Sequence, residues 1–403
     1  MILHVKPPSF LKGRIRLPAS KSYSIRAFII GAFGQSQIKA ASNCDDALVA
    51  HQTANALVNH SKTFSVGESG TTLRFLLPLL PLYVKKATVN GKGTLIGRPN
   101  AHLCQSLRDC GMDIRGTGPK ESVPIVFKGG KIKGDLIKID GSLSSQFISA
   151  LLIAVPRLQE DSRIVITGKD IVSEDYIVMT LQILAKAGIR IKRLSQREFV
   201  IKGQQKFTGL KSFEVPSDYG LAAFSMAAAA LLPSKVVLAG YLKDDLPQAD
   251  GHILEFLKKM GVVFKKADSA ISMQGPFILK GGTFSLKNSP DLVPIMAVLA
   301  LFAKGQTKLV AIFHARIKES DRISDVRREL LKIGAQVKET SNALIITPKS
   351  SYKTGQLLDS HNDHRLAMAW TVLGMKIGCR VDGIESCHKS YPDFLRDMKT
   401  LGM

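Results

Sequence analysis

The residues able to do chemistry form short clusters of hydroxyl, amide and basic groups. Ser20-Lys21-Ser22, followed by Arg26, is the first cluster, and Ser144-Ser145-Gln146 repeats its hydroxyl and amide groups. Each cluster precedes an apolar stretch that predicts a helix, and the free N–H groups and positive dipole end of a helix N-terminus favour anions. Helix capping needs only one such side chain and stays an alternative for Ser20 or Ser22.

The most highly charged cluster is Arg316-Ile-Lys-Glu-Ser-Asp-Arg322, with two acids and three bases in seven residues. In a functional interpretation, Lys318 and Arg322 bind an anion and Glu319 donates or accepts a proton. Flanking cations and burial would then set the pKa of that carboxyl group. The alternative interpretation is a solvated helix start with offsetting charges.

Single residues before other apolar stretches are further candidates. Asp291 is either a helix cap or a base. Gly70 would let an anion approach the backbone closely, and Arg98 is suited to a bidentate bond with phosphate or carboxylate. His361 and His364 are three residues apart, but no third ligand has a sensible spacing, so we expect no metal.

The clusters open helices that recur along the chain as an internal repeat. Each repeat reads as a polar turn, a wholly apolar helix, a strand, an amphipathic helix and one or two short strands, and after a shorter first interval the openings recur roughly every 70 residues. A helix without a polar face is predicted to be buried, as from Leu221 to Leu232. The openings lie at Ser20, Ser69, Ser144, Ser217, Pro290 and Asp363.

Six repeats divide most simply into two α/β domains of three repeats each. We predict one domain over residues 20–216 and a second over residues 1–19 plus 217–403. The leading strands, Leu3–Lys6 and Gly13–Leu17, have no partner in the first repeat and are therefore expected to complete the second domain. Ligand clefts are common at domain interfaces.

Composition limits the class of partner. The chain has 403 residues, a net charge of +23 and 6% aromatic residues. A well-solvated basic surface or an anionic partner explains this charge. Nucleic acid is disfavoured because the basic residues are spread along the chain and no aromatic stacking platform is visible.

Other absences narrow the compartment and the cofactor. The five cysteines have irregular spacings, which indicates reduced thiols in the cytoplasm. No apolar run is long enough to span a bilayer, and no signal core is visible at the N-terminus. Neither a Walker loop nor a G-x-G-x-x-G motif occurs, which disfavours ATP and dinucleotides. We expect no other cofactor.

Taken in order, the clusters resemble the motifs of the EPSP synthases, the 3-phosphoshikimate 1-carboxyvinyltransferases, over essentially the whole chain. The matching motifs are Ser20-Lys-Ser, Ser69-Gly-Thr-Thr-x-Arg74, Arg98-Pro99, Gly141-Ser-x-Ser-Ser-Gln146, Ser173 with Tyr176, Asp291, Lys318-Glu-x-Asp-Arg322, Asp363-His-Arg365 and Lys389.

The resemblance implies an inside-out α/β barrel of three βαβαββ units in each domain and an active site in the interdomain cleft. It also implies transfer of the enolpyruvyl group of phosphoenolpyruvate to the 5-hydroxyl of shikimate 3-phosphate, through a tetrahedral intermediate, on the route to chorismate and the aromatic amino acids. We expect a cytoplasmic monomer that acts on these small molecules, without a metal, nucleic acid or membrane.

The resemblance also implies roles for individual residues. Asp291, Glu319 and Lys21 would be catalytic. The residues implied for shikimate 3-phosphate are Lys21, Ser22, Arg26, Ser144, Ser145, Gln146, Ser173, Tyr176, Asp291 and Lys318. Those implied for phosphoenolpyruvate are Lys21, Gly70, Arg98, Gln146, Arg322, Arg365 and Lys389.

The sequence departs from the family pattern at some positions, and two alternative functions stay open. His314 stands where some members of the family have an asparagine that contacts shikimate 3-phosphate, and Glu68 replaces an asparagine. One alternative is the sibling enzyme that transfers enolpyruvyl to UDP-N-acetylglucosamine. Another is a non-enzymatic or RNA-end-processing nucleic-acid binder, for which the net charge is the only support.

Overall fold

The computed structural model describes residues 1–403 and has a mixed α/β architecture. None of its helices combines the length and hydrophobicity needed to cross a membrane. The α-helices are α1 Lys21–Gly31, α2 Asp45–Val58, α3 Gly70–Leu76, α4 Leu80–Tyr83, α5 Ala101–Asp109, α6 Ser145–Ala154, α7 Glu174–Lys186, α8 Tyr219–Leu231, α9 His252–Lys259, α10 Val293–Leu301, α11 Arg322–Lys332, α12 His364–Ile377 and α13 Phe394–Thr400.

Short strands alternate with these helices along the chain. The strands are β1 Ile2–Val5, β2 Leu11–Arg16, β3 Ile38–Lys39, β4 Thr63–Ser65, β5 Ala87–Asn90, β6 Met112–Gly116, β7 Ile125–Gly130, β8 Asp135–Asp140, β9 Ser162–Thr167, β10 Ile191–Ser195, β11 Glu198–Ile201, β12 Phe213–Glu214, β13 Ser234–Ala239, β14 Phe264–Ala267, β15 Ala270–Met273, β16 Leu279–Lys280, β17 Thr283–Ser285, β18 Ala303–Lys304, β19 Thr307–Val310, β20 Gln336–Glu339, β21 Ala343–Thr347, β22 Leu357–Asp359 and β23 Cys379–Asp382.

Two compact units make up the chain. The continuous unit is Lys21–Val215, and the split unit is Met1–Ser20 together with Pro216–Met403. In the split unit, β1 pairs antiparallel with β23, and β2 pairs parallel with β13. Both leading strands therefore take their partners from the C-terminal half of the chain.

The internal repeat is visible in the strand pairing. Four sheets share one four-stranded order, in which the first pair of neighbouring strands is parallel and the next two pairs are antiparallel. These sheets are β4-β5-β7-β6, β8-β9-β11-β10, β2-β13-β15-β14 and β17-β19-β21-β20. The two other repeats have smaller sheets, β3-β12 and β22-β23-β1, and β16-β18 is a short additional pair. The strands thus form separate sheets, and none of these sheets closes into a barrel.

The first helix of a repeat is buried, as its lack of a polar face predicts. Every residue of α8 and of α10 is buried, and so are nearly all residues of α12. The second helices, such as α9 and α11, bury one face and expose charged residues on the other. Each unit therefore has apolar helices inside, with sheets and amphipathic helices around them.

The second helices also share one type of C-terminus. Gly188 follows α7 with a φ of 87°, and the N–H of Ile189 donates to the carbonyl of Leu184, as in a Schellman motif. Glycines with positive φ occupy the same place after α5, α9, α11 and α13, and His60 takes it after α2. Such an end reverses the chain sharply, so each second helix leads directly into the next segment of its repeat.

Candidate functional site

The continuous unit holds the first set of predicted site residues, and Arg26 ties several of them together. Arg26 is 1% exposed. It donates to Thr180 Oγ1 at 2.8 Å and to the carbonyls of Ser22 at 2.9 Å and Tyr176 at 3.0 Å. Burial lowers the pKa of Arg26 to about 10, so the side chain stays charged at neutral pH. Arg26 therefore joins the start of α1 to the start of α7.

Lys21, at the beginning of α1, is paired with a carboxylate. Its Nζ lies 2.9 Å from Oδ2 of Asp46, in the first turn of α2. The ion pair holds the ammonium group near the helix start, where the dipole favours an anion. The sequence interpretation did not include Asp46, and only its place at a helix start hinted at a role.

A second arginine, Arg74, orients Gln146. Its Nη1 donates to Gln146 Oε1 at 2.6 Å, while Nε and Nη2 donate to Asn100 Oδ1 at 3.2 Å and to the carbonyl of Pro99 at 3.1 Å. Gln146 Nε2 in turn donates to Thr71 Oγ1 at 2.9 Å. Because both ends of the amide are engaged, Gln146 has a defined orientation at the start of α6.

Gly70 and Arg98 are in direct contact. A Cβ atom added to Gly70 would lie 2.8 Å from Nη1 and 2.9 Å from Cζ of Arg98. Arg98 is 7% exposed. The missing side chain of Gly70 therefore lets the guanidinium lie against the first turn of α3. This places a cation beside the N–H groups of a helix N-terminus, which is an arrangement suited to an anion.

The predicted serines lie at two other helix starts. Ser144 caps α6, accepting a hydrogen bond from the N–H of Gln146 at 3.3 Å, and Ser145 is the first residue of that helix. Ser173 precedes α7 with a φ of 55° and does not cap that helix with its side chain. Ser144 therefore has a structural role as the cap of α6. The cap uses the hydroxyl group of Ser144 and not that of Ser145.

The split unit holds the second set, with Asp291 in contact with three cations. Its Oδ1 lies 2.6 Å from Arg322 Nη1 and 3.7 Å from Lys318 Nζ, and its Oδ2 lies 3.3 Å from Arg365 Nη2. Burial opposes ionisation, but Lys318, Arg322 and Arg365 outweigh it and hold the pKa of Asp291 well below its usual range. Asp291 lies inside the 3-10 turn Pro290–Leu292, and its carboxylate acts as an ion-pair centre.

Arg322 contacts three carboxylates at once. Besides Asp291, its Nη2 donates to Glu319 Oε2 at 3.0 Å and its Nε donates to Asp363 Oδ2 at 2.7 Å. Burial works against the charge of Arg322, but Asp363, Asp291 and Glu319 raise its pKa well above the ordinary value. The side chain of Arg322 is 1% exposed and contacts all three acids, so it fixes their positions relative to one another.

The charged segment 316–322 has an outer part and an inner part with different contacts. Arg316 pairs with Asp321 at 2.8 Å, and Asp321 caps α11 through the N–H groups of Ile323 and Ser324. This outer part is an ordinary helix start. The side chain of Glu319 is 10% exposed and contacts Arg322, which also contacts Asp291. The inner part of the segment therefore belongs to the candidate site.

Asp250 is an acid of the cluster that the sequence interpretation missed. Its Oδ2 lies 3.6 Å from Arg365 Nη2. Burial and the nearby charge of Asp291 raise the pKa of Asp250 to about 7. Arg365 also donates to the carbonyl of Gly220 at 2.6 Å, and a Cβ on Gly220 would lie 2.2 Å from Asp250 Oδ2. The missing side chain of Gly220 therefore leaves room for Asp250 and Arg365 at the start of α8.

His314 and Lys389 are two further buried residues of the split unit. His314 is 2% exposed, and burial, followed by the charge of Lys318, lowers its pKa to about 3. It is therefore a neutral hydrogen-bonding group at physiological pH. Lys389 is buried at the end of the 3-10 helix Ile384–Lys389. His361 contacts Glu329 at 3.0 Å, so it takes part in a hydrogen-bonded pair.

Glu68, the other departure noted in the sequence, has a structural role in the continuous unit. Its Oε2 accepts hydrogen bonds from the backbone N–H of Thr94 at 3.0 Å and from the Thr94 hydroxyl at 2.7 Å. It therefore fixes the turn that precedes Arg98.

Comparisons with known proteins agree over most or all of the chain. A family model described as EPSP synthase (3-phosphoshikimate 1-carboxyvinyltransferase) matches residues 39–398. A relative from Methanococcus maripaludis named 3-phosphoshikimate 1-carboxyvinyltransferase is 34% identical, with 100% of this chain and 99% of the relative covered. Another of that name, from Methanosarcina mazei, is 35% identical, with 98% of this chain and 96% of the relative covered.

Solved structures show the same fold. An EPSP synthase from Acinetobacter baumannii has a TM-score of 0.79 at 24% identity, covering 100% of this chain and 98% of that one. The enolpyruvyl transferase NikO from Streptomyces tendae has a TM-score of 0.78 at 15% identity, with 100% and 97% covered. The two-domain α/β fold expected from the motifs is thereby confirmed, and the chain belongs to the EPSP synthase family, the 3-phosphoshikimate 1-carboxyvinyltransferases.

Proposed function

We propose that this chain transfers the enolpyruvyl group of phosphoenolpyruvate to the 5-hydroxyl of shikimate 3-phosphate and releases inorganic phosphate. The observation that supports this best is the contact of Asp291 with Lys318, Arg322 and Arg365. An ionised acid held among three cations suits a reaction in which an anionic alcohol is deprotonated beside a second anion.

Shikimate 3-phosphate is the substrate that we assign to the serine and amide groups at helix starts. Hydroxyl groups and helix N-termini bind phosphate without adding net charge. The residues proposed for this substrate are Lys21, Ser22, Arg26, Ser144, Ser145, Gln146, Ser173, Tyr176, Asp291 and Lys318. Arg26 would act mainly by holding Ser22 and Tyr176, since all three of its nitrogens already donate hydrogen bonds within the unit.

Phosphoenolpyruvate carries a carboxylate and a phosphate, and we assign it to the arginine-rich groups. The residues proposed for it are Lys21, Gly70, Arg98, Gln146, Arg322, Arg365 and Lys389. Arginine binds carboxylate and phosphate through paired N–H groups. Glu319, which contacts Arg322, then lies beside this substrate as the proton donor for its methylene carbon.

The proposed chemistry is an addition followed by an elimination. The 5-oxygen of shikimate 3-phosphate bonds to C2 of phosphoenolpyruvate and gives its proton to Asp291, while C3 receives a proton from Glu319 with the help of Lys21. The resulting tetrahedral ketal then loses phosphate by cleavage of the C2–O bond, and the departing phosphate takes the proton held by Asp291. Removal of a proton from the new methyl group by the same pair completes the enol ether.

The low pKa of Asp291 fits this role if binding changes its surroundings. Lys318 and Arg365 would turn towards the substrate anions, and their attraction for Asp291 would weaken. The pKa of the carboxyl group would then rise, which makes it a better base in the bound state. The same cations offset the repulsion between two anionic substrates, which grows as water is excluded.

A phosphate-release assay with both substrates, each also omitted in turn, tests this function. Release that requires both substrates and continues with EDTA supports it, because no metal or other cofactor is proposed. Lys21→Ala and Glu319→Gln are each expected to lower kcat by at least about a hundredfold, as for proton-transfer groups. Lys202→Ala and Glu255→Gln are matched controls, since both side chains lie in exposed ion pairs.

We further propose a cytoplasmic monomer that binds no nucleic acid. Sedimentation of the purified protein tests whether it is a monomer. Filter binding to RNA at several salt concentrations tests whether it binds nucleic acid, because phosphate-dominated binding would show a steep salt dependence. Activity with UDP-N-acetylglucosamine in place of shikimate 3-phosphate would instead favour the sibling reaction.

A further inference from the structure

Two residues of helix α11 form hydrogen bonds with the two ends of the segment 359–363. Arg322, its first residue, donates to Asp363 Oδ2 at 2.7 Å. Two turns later, Glu329 Oε2 accepts from the backbone N–H of Asp359 at 2.8 Å, and Glu329 Oε1 accepts from His361 Nε2 at 3.0 Å. Residues seven apart lie on the same face of a helix. One helix face therefore holds the whole segment.

The segment between these two contacts has an uncommon backbone conformation. His361 and Asn362 have φ values of 49° and 56°, so two successive residues other than glycine are left-handed. Such conformations persist where the surroundings over-determine them. Here Asp359 Oδ1 accepts from the N–H of His361 at 2.7 Å, and the Ser360 hydroxyl donates to the carbonyl of Gly383 at 3.2 Å.

Glu329 is a buried acid that the proposed reaction does not use. It is fully buried, and Lys332 is its cationic partner at 2.6 Å. A buried carboxylate needs paired donors to offset its loss of hydration. Glu329 has three of them, and two belong to the segment 359–363. Its burial is therefore linked directly to the position of this segment.

The end of the segment leads into the candidate site. The Asp363 carboxylate accepts from Arg322 and also from the N–H of Arg365, at 2.8 Å, where it caps α12. Arg322 and Arg365 both contact Asp291. A shift of Asp363 would therefore move both arginines relative to Asp291.

We propose that His361 and Glu329 are positioning residues, which set the segment 359–363 so that Asp363 aligns Arg322 and Arg365. This inference rests on the proposed function, in which these two arginines bind phosphoenolpyruvate. Neither His361 nor Glu329 touches the reacting atoms. Their contribution is to hold two cations at the separation that a carboxylate and a phosphate require.

The chain contains its own reporter for this segment. Trp370 is the only tryptophan and is fully buried, and its indole N–H donates to the carbonyl of Asp359 at 2.9 Å. The fluorescence of Trp370 therefore responds to movement of the segment independently of any activity. Loss of this hydrogen bond would change the emission maximum or intensity of a single, assigned fluorophore.

The test compares His361→Leu with His361→Gln in the full-length protein. His361→Leu removes the bond to Glu329, and we expect the KM for phosphoenolpyruvate to rise at least about tenfold, because small misplacements of binding groups are costly. The kcat should stay within about threefold, and the Trp370 emission should change. His361→Gln keeps a side-chain donor and should restore most of the affinity.

His60→Leu is the matched control. His60 is also a left-handed histidine, with a φ of 57°, and its ring contacts the carbonyl of Tyr83 at 2.7 Å. This variant should leave the KM and the Trp370 emission unchanged. An unchanged KM in folded His361→Leu, or a fall in kcat alone, would overturn the proposal. Wild-type protein without phosphate release would instead refute the proposed function.

Glu329→Gln decides the question if His361→Leu does not fold. The substitution keeps the shape of the side chain but replaces one acceptor oxygen by a donor, so at least one bond to the segment is lost. We expect the KM for phosphoenolpyruvate to rise at least about threefold, with a change in Trp370 emission. A folded Glu329→Gln protein with both readouts unchanged would overturn the proposal.

Discussion

Asp291 and Arg322 are joined at 2.6 Å between Oδ1 and Nη1, although 30 residues separate them in the chain. This pair connects the 3-10 turn before α10 to the first residue of α11. It places the acid proposed to accept the substrate proton on the same guanidinium as Glu319, the acid proposed to donate one. A single arginine thus contacts both of the acids that we propose for proton transfer.

Asp291→Asn should lower kcat by at least about a hundredfold, because the amide cannot take the proton of the 5-hydroxyl. The loss of stability should be smaller than the roughly 3–5 kcal/mol seen when a buried ion pair is broken, since Arg322 keeps Asp363 and Glu319. Steady-state kinetics and urea unfolding measure the two effects. A variant with near-normal turnover would remove Asp291 from the proton transfer.

Asp250→Asn should change how stability depends on pH. The pKa of Asp250 is raised to about 7 in the folded state, whereas an unfolded aspartate titrates near pH 4. The folded state therefore binds this proton more tightly, so the contribution of Asp250 to the free energy of unfolding should fall as pH rises from about 4 to 7. The variant should lack this part of the decline, as measured by thermal unfolding at several pH values. An identical slope in both proteins would contradict the shift.

His314→Asn should also change how stability depends on pH, in the direction opposite to Asp250→Asn. Burial lowers the pKa of His314 to about 3, compared with roughly 6.5 for an unfolded histidine. The unfolded state then binds more protons, so this residue makes stability fall as pH drops from about 6.5 towards 3. The variant should lose less stability over that range. Because the imidazole is neutral at pH 7, kcat/KM should stay within about threefold there.

Gly70→Ala should weaken binding of phosphoenolpyruvate. The new methyl group would lie 2.8 Å from Arg98 Nη1, so the guanidinium must move away from the start of α3. We expect the KM for phosphoenolpyruvate to rise at least about tenfold, with little change in melting temperature. Gly282→Ala is the control, since its Cβ would meet nothing closer than 3.7 Å. Equal KM values in both variants would argue against the proposed role of Gly70.

Arg74→Lys should reduce activity although the charge is kept. Arg74 donates to Gln146, Asn100 and Pro99 from three different nitrogens, and an ammonium group cannot reproduce this planar arrangement. We expect kcat/KM to fall at least about tenfold. Arg163→Lys is a matched control because the side chain of Arg163 is 57% exposed in its ion pair with Glu198. Full activity of Arg74→Lys would show that Gln146 needs no fixed orientation.

Much of the fold could be predicted because the signals are local. Ser69, Ser144, Asp218 and Asp363 cap their helices within a few residues, so the helix starts follow from residue type and spacing. Wholly apolar stretches predicted the buried helices α8 and α10. The order of the motifs predicted the family, and the family model and full-length relatives confirm this.

Many partners in the candidate site could not be predicted in this way. Asp46, Asp250 and Asn100 carry no distinctive local motif, and their roles depend on contacts with residues far away in the chain. The pairs Lys21–Asp46 and Asp250–Arg365 illustrate this, because one partner alone reads as an ordinary helix-start acid. The site residues themselves stay a prediction until they are tested with substrates.

By itself, the sequence determined which groups lie at helix starts, since capping and hydrophobic periodicity act over a few residues. Only the tertiary structure decided which charges meet. It set three cations around Asp291, left Asp250 with a raised pKa and His314 with a lowered one, and tied Glu329 to His361. Coulomb energies and desolvation depend on distances and burial across the folded chain, and these arise when α8, α10, α11 and α12 are packed together.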